Sequence, residues 1–350
     1  EPNPPGIPPS DYYAGGGSGH VSADPANLVQ PGKAIEDRAR KAGIKVLSFP
    51  VPIPDTINGG QFDWTAFFVA LRGADAAVFL GASTSTEGVD RVTMYLDWWG
   101  NELIGYMAAE KPTAVLMQSP GVIEMPWRDH ANVSAIMNLF LAGERTGAAW
   151  AKTLFGDVSP SGKLPIAFPK TEEGGTSVVP GPVSAYREGM FFSYRSPRAA
   201  EFAAYPFGHG LSYTSFSYGD LVEVPVSECK AALYAWKGTS PLKTCLVLDV
   251  TNSGGRPGAE VAQAYVQFPA AAGMPRLVLK GFHKTAELAP GSKERAVFAF
   301  TARDLSIYRV DQSGWEMQES LIVHVGASSA DLRASLELKA GASAAGKRQQ

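Results

Sequence analysis

The sequence predicts an α/β sandwich domain, a mostly parallel sheet with helices on both faces, followed by an all-β sandwich. Three observations carry this. The length of 350 residues is about two domains' worth at ~150 residues each. Through the first half, wholly apolar strand-like runs alternate with amphipathic helical runs, the pattern of strands buried on both faces. From Tyr213 onward the periodicity changes to that of short strands with no helix between them, as in two packed antiparallel sheets.

Residues 1–32 are rich in Pro, Gly, Ser and Asp and read as an extended loop. The α/β domain is expected over 33–170. In it, AIEDRARKAG reads as a helix, IKVLSFPV as a short strand, FDWTAFFVALRGA as a helix and AAVFLGA as a strand. The helical run DWWGNELIGYMAAE, the buried strand PTAVLMQSP, the apolar segment VSAIMNLFLAG and the helix TGAAWAKTLFG, closed by Gly156, complete it. A Pro/Gly/Tyr-rich passage over 171–212 reads as a long connection. The β-sandwich is expected over 213–340, from FSYGDLVEV to SLIVHVGAS, and 341–350 as a frayed tail.

Lys plus Arg number 31 against 34 Asp plus Glu, for a net charge of −3. No basic stripe is present, which argues against nucleic-acid binding. No apolar run approaches the ~18 residues of a membrane span. The opening EPNPPGIPPSDYYAGGGSGH has neither a basic nor an apolar leader region, so the expectation is a leader already removed or a start inside a longer protein. The two cysteines, Cys229 and Cys245, flank strand-like runs and either form one clip or stay as buried thiols. Asn132-Val133-Ser134 is a glycosylation triplet.

Several chemistries find no support. GGGSGH, from Gly15 to His20, lacks the preceding strand and the following Lys-Ser/Thr of a phosphate loop. The five histidines show no metal-ligand spacing, no Gly-x-Ser-x-Gly elbow occurs, and no cofactor is expected. The suggestive element is GASTSTEGVDR, directly after the apolar strand AAVFL. Loops beyond the carboxyl ends of parallel strands present reactive side chains, and partial burial of Glu87 would raise its pKa toward that of a general acid. The plainer alternative is a solvated loop glutamate, with Asp90 and Arg91 as a local ion pair. Trp98 and Trp99 could stack on sugar rings or serve in core or interface packing. His209, in Gly-His-Gly, suits a structural role better than a catalytic one.

Together these segments resemble glycoside hydrolase family 3, best known for its β-glucosidases. STEGVDR is similar to the loop carrying that family's acid/base glutamate. NVSAIMNLFLAGERTGAAWAKTLFGDVSPSGKLPIAFPK is similar to its most recognisable stretch, and YREGMFFSYR with YPFGHGLSYTSFSY resembles the passage into its third domain. VTNSGGRPGAEVAQAYVQFP and LKGFHKTAELAPGS resemble its fibronectin type III-like domain. Leu141-Ala142-Gly143-Glu144-Arg145 stands where relatives commonly carry Pro-Gly-Gln-Glu, and the motif around Asp97-Trp98-Trp99-Gly100 is altered. The resemblance implies a retaining mechanism, Glu87 as acid/base, a β-glucoside or oligosaccharide substrate and a secreted protein. It also implies that the nucleophilic aspartate lies on a TIM-type barrel absent from this sequence, supplied by another segment or chain. A non-catalytic carbohydrate-binding or assembly protein of the same descent is the alternative.

Overall fold

A computed structural model describes residues 13–15, 17–51, 62–85, 87–88, 91–172, 182–183, 185–229 and 241–339. The chain divides into two compact units, Glu1–Val158 with Pro169–Gly175, and Ser159–Phe168 with Thr176–Gln350.

The first unit is built on a parallel sheet of β1 (Ala77–Ala82), β2 (Thr113–Gln118) and β3 (Val133–Asn138), in that order. The strand β2 lies in the middle, and its Val115, Leu116 and Met117 are almost wholly buried, which is why PTAVLMQSP reads as one apolar run. The helices are α1 (Pro31–Lys41), α2 (Trp64–Gly73), α3 (Gly100–Glu110) and α4 (Thr146–Leu154). Pro31 opens α1, where its missing N–H costs nothing. The Asp63 carboxylate accepts from the Ala66 N–H at 2.8 Å and caps α2. Ile35 of α1 and Trp150 and Ala151 of α4 pack with Leu116 on one side of the sheet. On the other side lies Phe79, in register with Val115, and it approaches Gly100 at the start of α3 so closely that a Cβ there would lie 3.2 Å from its ring.

The strand expected over IKVLSFPV does not form. Residues 44–51 are irregular, with Ile44 and Leu47 more than half exposed. A strand needs a partner to satisfy its backbone groups. Among the described residues β1 ends the sheet, and nothing pairs with 44–51. Consistently, Val78 and Leu80 on β1 remain 39% and 38% exposed.

The second unit is a β-sandwich. One sheet orders β8 (Val278–Lys284), β7 (Val261–Gln267), β12 (Ser320–Ser328) and β13 (Asp331–Lys339). The other orders β9 (Lys293–Thr301), β6 (Leu242–Asn252) and β4 (Phe216–Tyr218), with β5 (Val222–Val224) also on β6. A hairpin of β10 (Ser306–Arg309) and β11 (Gly314–Met317) completes it. All of these pairings are antiparallel. FSYGDLVEV is thus two strands, parted at Gly219-Asp220. Leu246, Leu248 and Val250 from one sheet meet Ala264, Val266, Val323 and Val325 from the other in one core.

In the structure Ser159–Phe168 groups with the second unit. Leu164 exchanges backbone hydrogen bonds with the Gly208–His209 turn, each at 2.8 Å. The Lys163 ammonium, nearly buried, reaches the Glu260 carboxylate at 2.8 Å and the Gly210 carbonyl at 3.0 Å. Cys229 and Cys245 are disulfide-bonded, with Cα atoms 5.7 Å apart and both residues fully buried. The run AALYAW after Cys229, the first twelve residues and the tail lie outside the described residues.

Candidate active-site loop

The carboxyl ends of β1, β2 and β3 lead into the loops that hold the candidate residues. The loop after β1 is fixed at its root. Ser83, buried, donates its N–H to the Gln118 carbonyl at 3.0 Å, joining the ends of β1 and β2. The Asp97 carboxylate accepts from the Thr84 N–H at 2.6 Å and from the Thr84 hydroxyl, and its own N–H donates to the Ala82 carbonyl at 3.1 Å. Arg91 donates to the Ser83 hydroxyl at 3.0 Å and to the Val122 carbonyl at 2.9 Å, which binds this loop to the one after β2. The ion pair expected between Asp90 and Arg91 falls on Asp90, outside the described residues; Arg91 acts instead as a brace.

Glu87 sits on this loop, exposed to solvent. Its carboxylate accepts the Ser18 N–H at 2.7 Å. The Ser18 side-chain and backbone donors hold the Glu87 pKa below the ordinary glutamate value, outweighing a smaller upward push from burial. The expectation that burial raises this pKa is therefore not met, since the carboxylate is open to water and the donors favour its charged form. GGGSGH, discounted as a phosphate loop, thus supplies the partner of the candidate glutamate. Sequence reasoning missed Ser18, because a contact across 69 positions has no local periodicity.

A titration of the Glu87 side-chain carboxyl by NMR is expected to show a midpoint below the usual glutamate range, and Ser18→Ala to move it upward. A folded pKa depressed in this way stabilises the fold above the unfolded pKa of ~4.3, and that contribution is lost as pH falls through the folded value. An unchanged midpoint in the variant would remove the Ser18 hydroxyl from the account.

The loop after β3 has a different partner. The Glu144 carboxylate accepts the Asp24 N–H at 2.7 Å, and the Glu144 carbonyl accepts the Val29 N–H at 2.9 Å. Gly147 lies so close to Val29 that a Cβ would fall 2.2 Å from the Val29 carbonyl oxygen. The altered Leu141–Arg145 segment therefore clamps the leading loop through Glu144, a role that sequence reading did not assign. Trp98 and Trp99 are exposed, both with left-handed backbone at φ 48° and 58°, so α3 begins at Gly100 rather than at Asp97. Asn132 donates its side-chain amide to the Ala108 carbonyl at 2.8 Å in the turn before β3. His209 belongs to the second unit, where burial and nearby Lys163 lower its pKa and its ring lies against Tyr205, centroids 5.2 Å apart. Among the described residues no cluster of His, Cys, Asp or Glu suits a metal ion, and no helix is long and apolar enough to cross a membrane.

The profile of the glycosyl hydrolase family 3 C-terminal domain matches residues 5–213, more than half of the chain. The chain belongs to glycoside hydrolase family 3. A fibronectin type III-like domain matches residues 260–329, within the β-sandwich. The family member is 37% identical over 343 residues to the probable beta-glucosidase L of Aspergillus terreus, covering 91% of this chain and 44% of that protein. It is 35% identical to a beta-glucosidase of Pyricularia oryzae, covering 87% and 43%. The crystal structure of the beta-D-glucoside glucohydrolase from Trichoderma reesei superposes with a TM-score of 0.78 at 30% identity, over 93% of this chain and 47% of that one. The chain thus spans less than half the length of these relatives.

Proposed function

We propose that this chain is the acid/base-bearing part of a secreted, retaining β-glucosidase whose nucleophile lies on a barrel domain outside it. The observation that carries the reading is the position of Glu87. It stands exposed on a loop at the carboxyl end of a parallel strand, within the segment matched by the family domain, at the place where the sequence resembles the acid/base loop.

In this mechanism a barrel carboxylate attacks the anomeric carbon as the bond to the leaving oxygen breaks, and the protonated Glu87 carboxyl gives its proton to that oxygen. The resulting Glu87 carboxylate then takes a proton from water as the water attacks the glycosyl ester, which releases glucose and restores both groups. The two carboxyls must come within ~5.5 Å for this. The Ser18 donors lower the Glu87 pKa, so delivery of a proton in the first step is favoured by loosening the Ser18 contact once substrate and barrel cover the loop. The disulfide Cys229–Cys245 supports passage through an oxidising compartment, in which Asn132 is the candidate glycan acceptor.

The 350-residue chain alone is expected to give no turnover of 4-nitrophenyl β-glucoside, and the same chain joined to its barrel segment is expected to release nitrophenol. A joined protein that hydrolyses no β-glucoside would overturn the proposal in favour of a non-catalytic carbohydrate-binding or assembly role.

A further inference from the structure

An aspartate near the start of a helix commonly lends its carboxylate to the helix's free N–H groups. Asp97, three residues before α3, does not, and α3 has no side-chain cap. The carboxylate goes instead to the root of the loop after β1, where one of its oxygens accepts both the N–H and the hydroxyl of Thr84. The Asp97 backbone is fixed as well. Its N–H donates to the Ala82 carbonyl at 3.1 Å and its carbonyl accepts the Gly100 N–H at 3.1 Å, while Leu96, the residue before it, is buried. Asp97 thus joins the end of β1 to the first turn of α3. The link to α3 is strained, since Trp98 and Trp99 both hold left-handed backbone at φ 48° and 58°, and such strain persists only where surrounding contacts enforce it.

We propose that Asp97 is a positioning residue for the acid/base chemistry: it sets the direction in which the loop leaves β1 and so aligns the Glu87 carboxyl with the leaving oxygen. The inference rests on the acid/base reading of Glu87. That side chain is exposed, and its contact with Ser18 is the one whose loosening favours proton delivery. Once the contact opens, the carboxyl's direction depends on the backbone that carries it. Thr84, three residues earlier, is where that backbone is tied.

A second charge grips the neighbouring residue. Arg91 donates to the Ser83 hydroxyl at 3.0 Å, so Arg91 holds Ser83 and Asp97 holds Thr84. The two charges also support each other: burial lowers the Arg91 pKa, and the negative charge of Asp97 offsets part of that cost. The tie matters for proton transfer because a misplacement of about 1 Å can cost on the order of 10²-fold in rate.

The test compares two substrates in the barrel-containing protein, of which only one needs the proton. Asp97→Ala is expected to lower kcat/KM for cellobiose by about 10–100-fold. For 2,4-dinitrophenyl β-glucoside kcat/KM should stay within about twofold, since that ratio reports the first step and the phenolate departs without help. Loss of folded protein would lower both substrates alike, so the aryl glucoside counts the intact sites. Asp97→Asn keeps an oxygen for the two Thr84 donors and is expected to recover most of the cellobiose rate. In a Glu87→Gln background, Asp97→Ala is expected to cost cellobiose hydrolysis nothing further, because the group it aligns is gone. Equal losses on the two substrates, an unchanged cellobiose rate in Asp97→Ala, or fully additive losses in the double variant overturn the positioning role. A Glu87→Gln protein that hydrolyses cellobiose at the wild-type rate overturns the acid/base reading and the positioning role with it, whereas a slow Glu87→Gln with a fast Asp97→Ala removes only the latter.

Discussion

Replacing Glu87 with Gln in the barrel-containing protein is expected to slow hydrolysis of cellobiose by about 10²–10⁴-fold, the usual contribution of general acid–base catalysis. The amide keeps the size and the Ser18 contact but has no proton to deliver at neutral pH. The glucose that departs from cellobiose is a poor alkoxide leaving group, so the first step needs that proton. From a 2,4-dinitrophenyl β-glucoside the phenolate leaves unaided, and for that substrate the loss should fall on the second step, where no carboxylate remains to take the proton from water. Azide needs no such base. It is expected to restore turnover of the activated substrate and to yield β-glucosyl azide, the retained product. Wild-type rates on cellobiose, or azide that gives no glucosyl azide, would take the acid/base role from Glu87.

The largest effect on stability is expected from Gly208→Ala, at about 3–5 kcal/mol in the second unit. Two costs combine. Gly208 has φ of +80°, where an alanine loses ~1–2 kcal/mol. A Cβ there would also lie 2.0 Å from the Gln263 side-chain oxygen. That side chain cannot simply swing aside. Its amide donates to the Gly208 carbonyl at 3.0 Å and the Ala327 carbonyl at 2.7 Å, and its oxygen accepts from the Tyr265 hydroxyl at 2.6 Å. Moving it leaves buried polar groups unpaired, at about 1–3 kcal/mol each. Gly273→Ala serves as the comparison, since φ is +62° but the space beside it is open; it should lose only ~1 kcal/mol. Denaturant unfolding of the two variants measures the difference, and equal midpoints would refute the account.

What the sequence disclosed, and what it hid, follow from the range of the forces involved. Strands such as Thr113–Gln118 are buried on both faces, so their composition alone identifies them. The β-sandwich was legible because alternation and turn residues are local signals. The segment Ile44–Val51 misled for the converse reason: its residues favour a strand, but strand formation depends on a neighbour that composition does not encode. Glu87 was singled out as a candidate by its position after an apolar strand and by the family resemblance. Its electrostatics were not legible, because Ser18 acts from a glycine-rich segment far away in sequence. Glu144 was hidden in the same way, since its partner Asp24 is 120 positions distant. Asp97, whose bonds to Thr84 set the loop's root, was noticed only as part of an altered motif.

The bond between Cys229 and Cys245 closes a ring of chain whose ends are 16 positions apart. A protease that cuts one peptide bond inside that ring separates the backbone into two lengths without releasing either. The nicked protein would keep its mobility on a non-reducing gel and gain the mass of one water, and it would come apart as two bands only after a thiol is added. A chain that arrives cleaved between its two half-cystines therefore still carries β6 and everything after it covalently attached to the unit that bears Glu87.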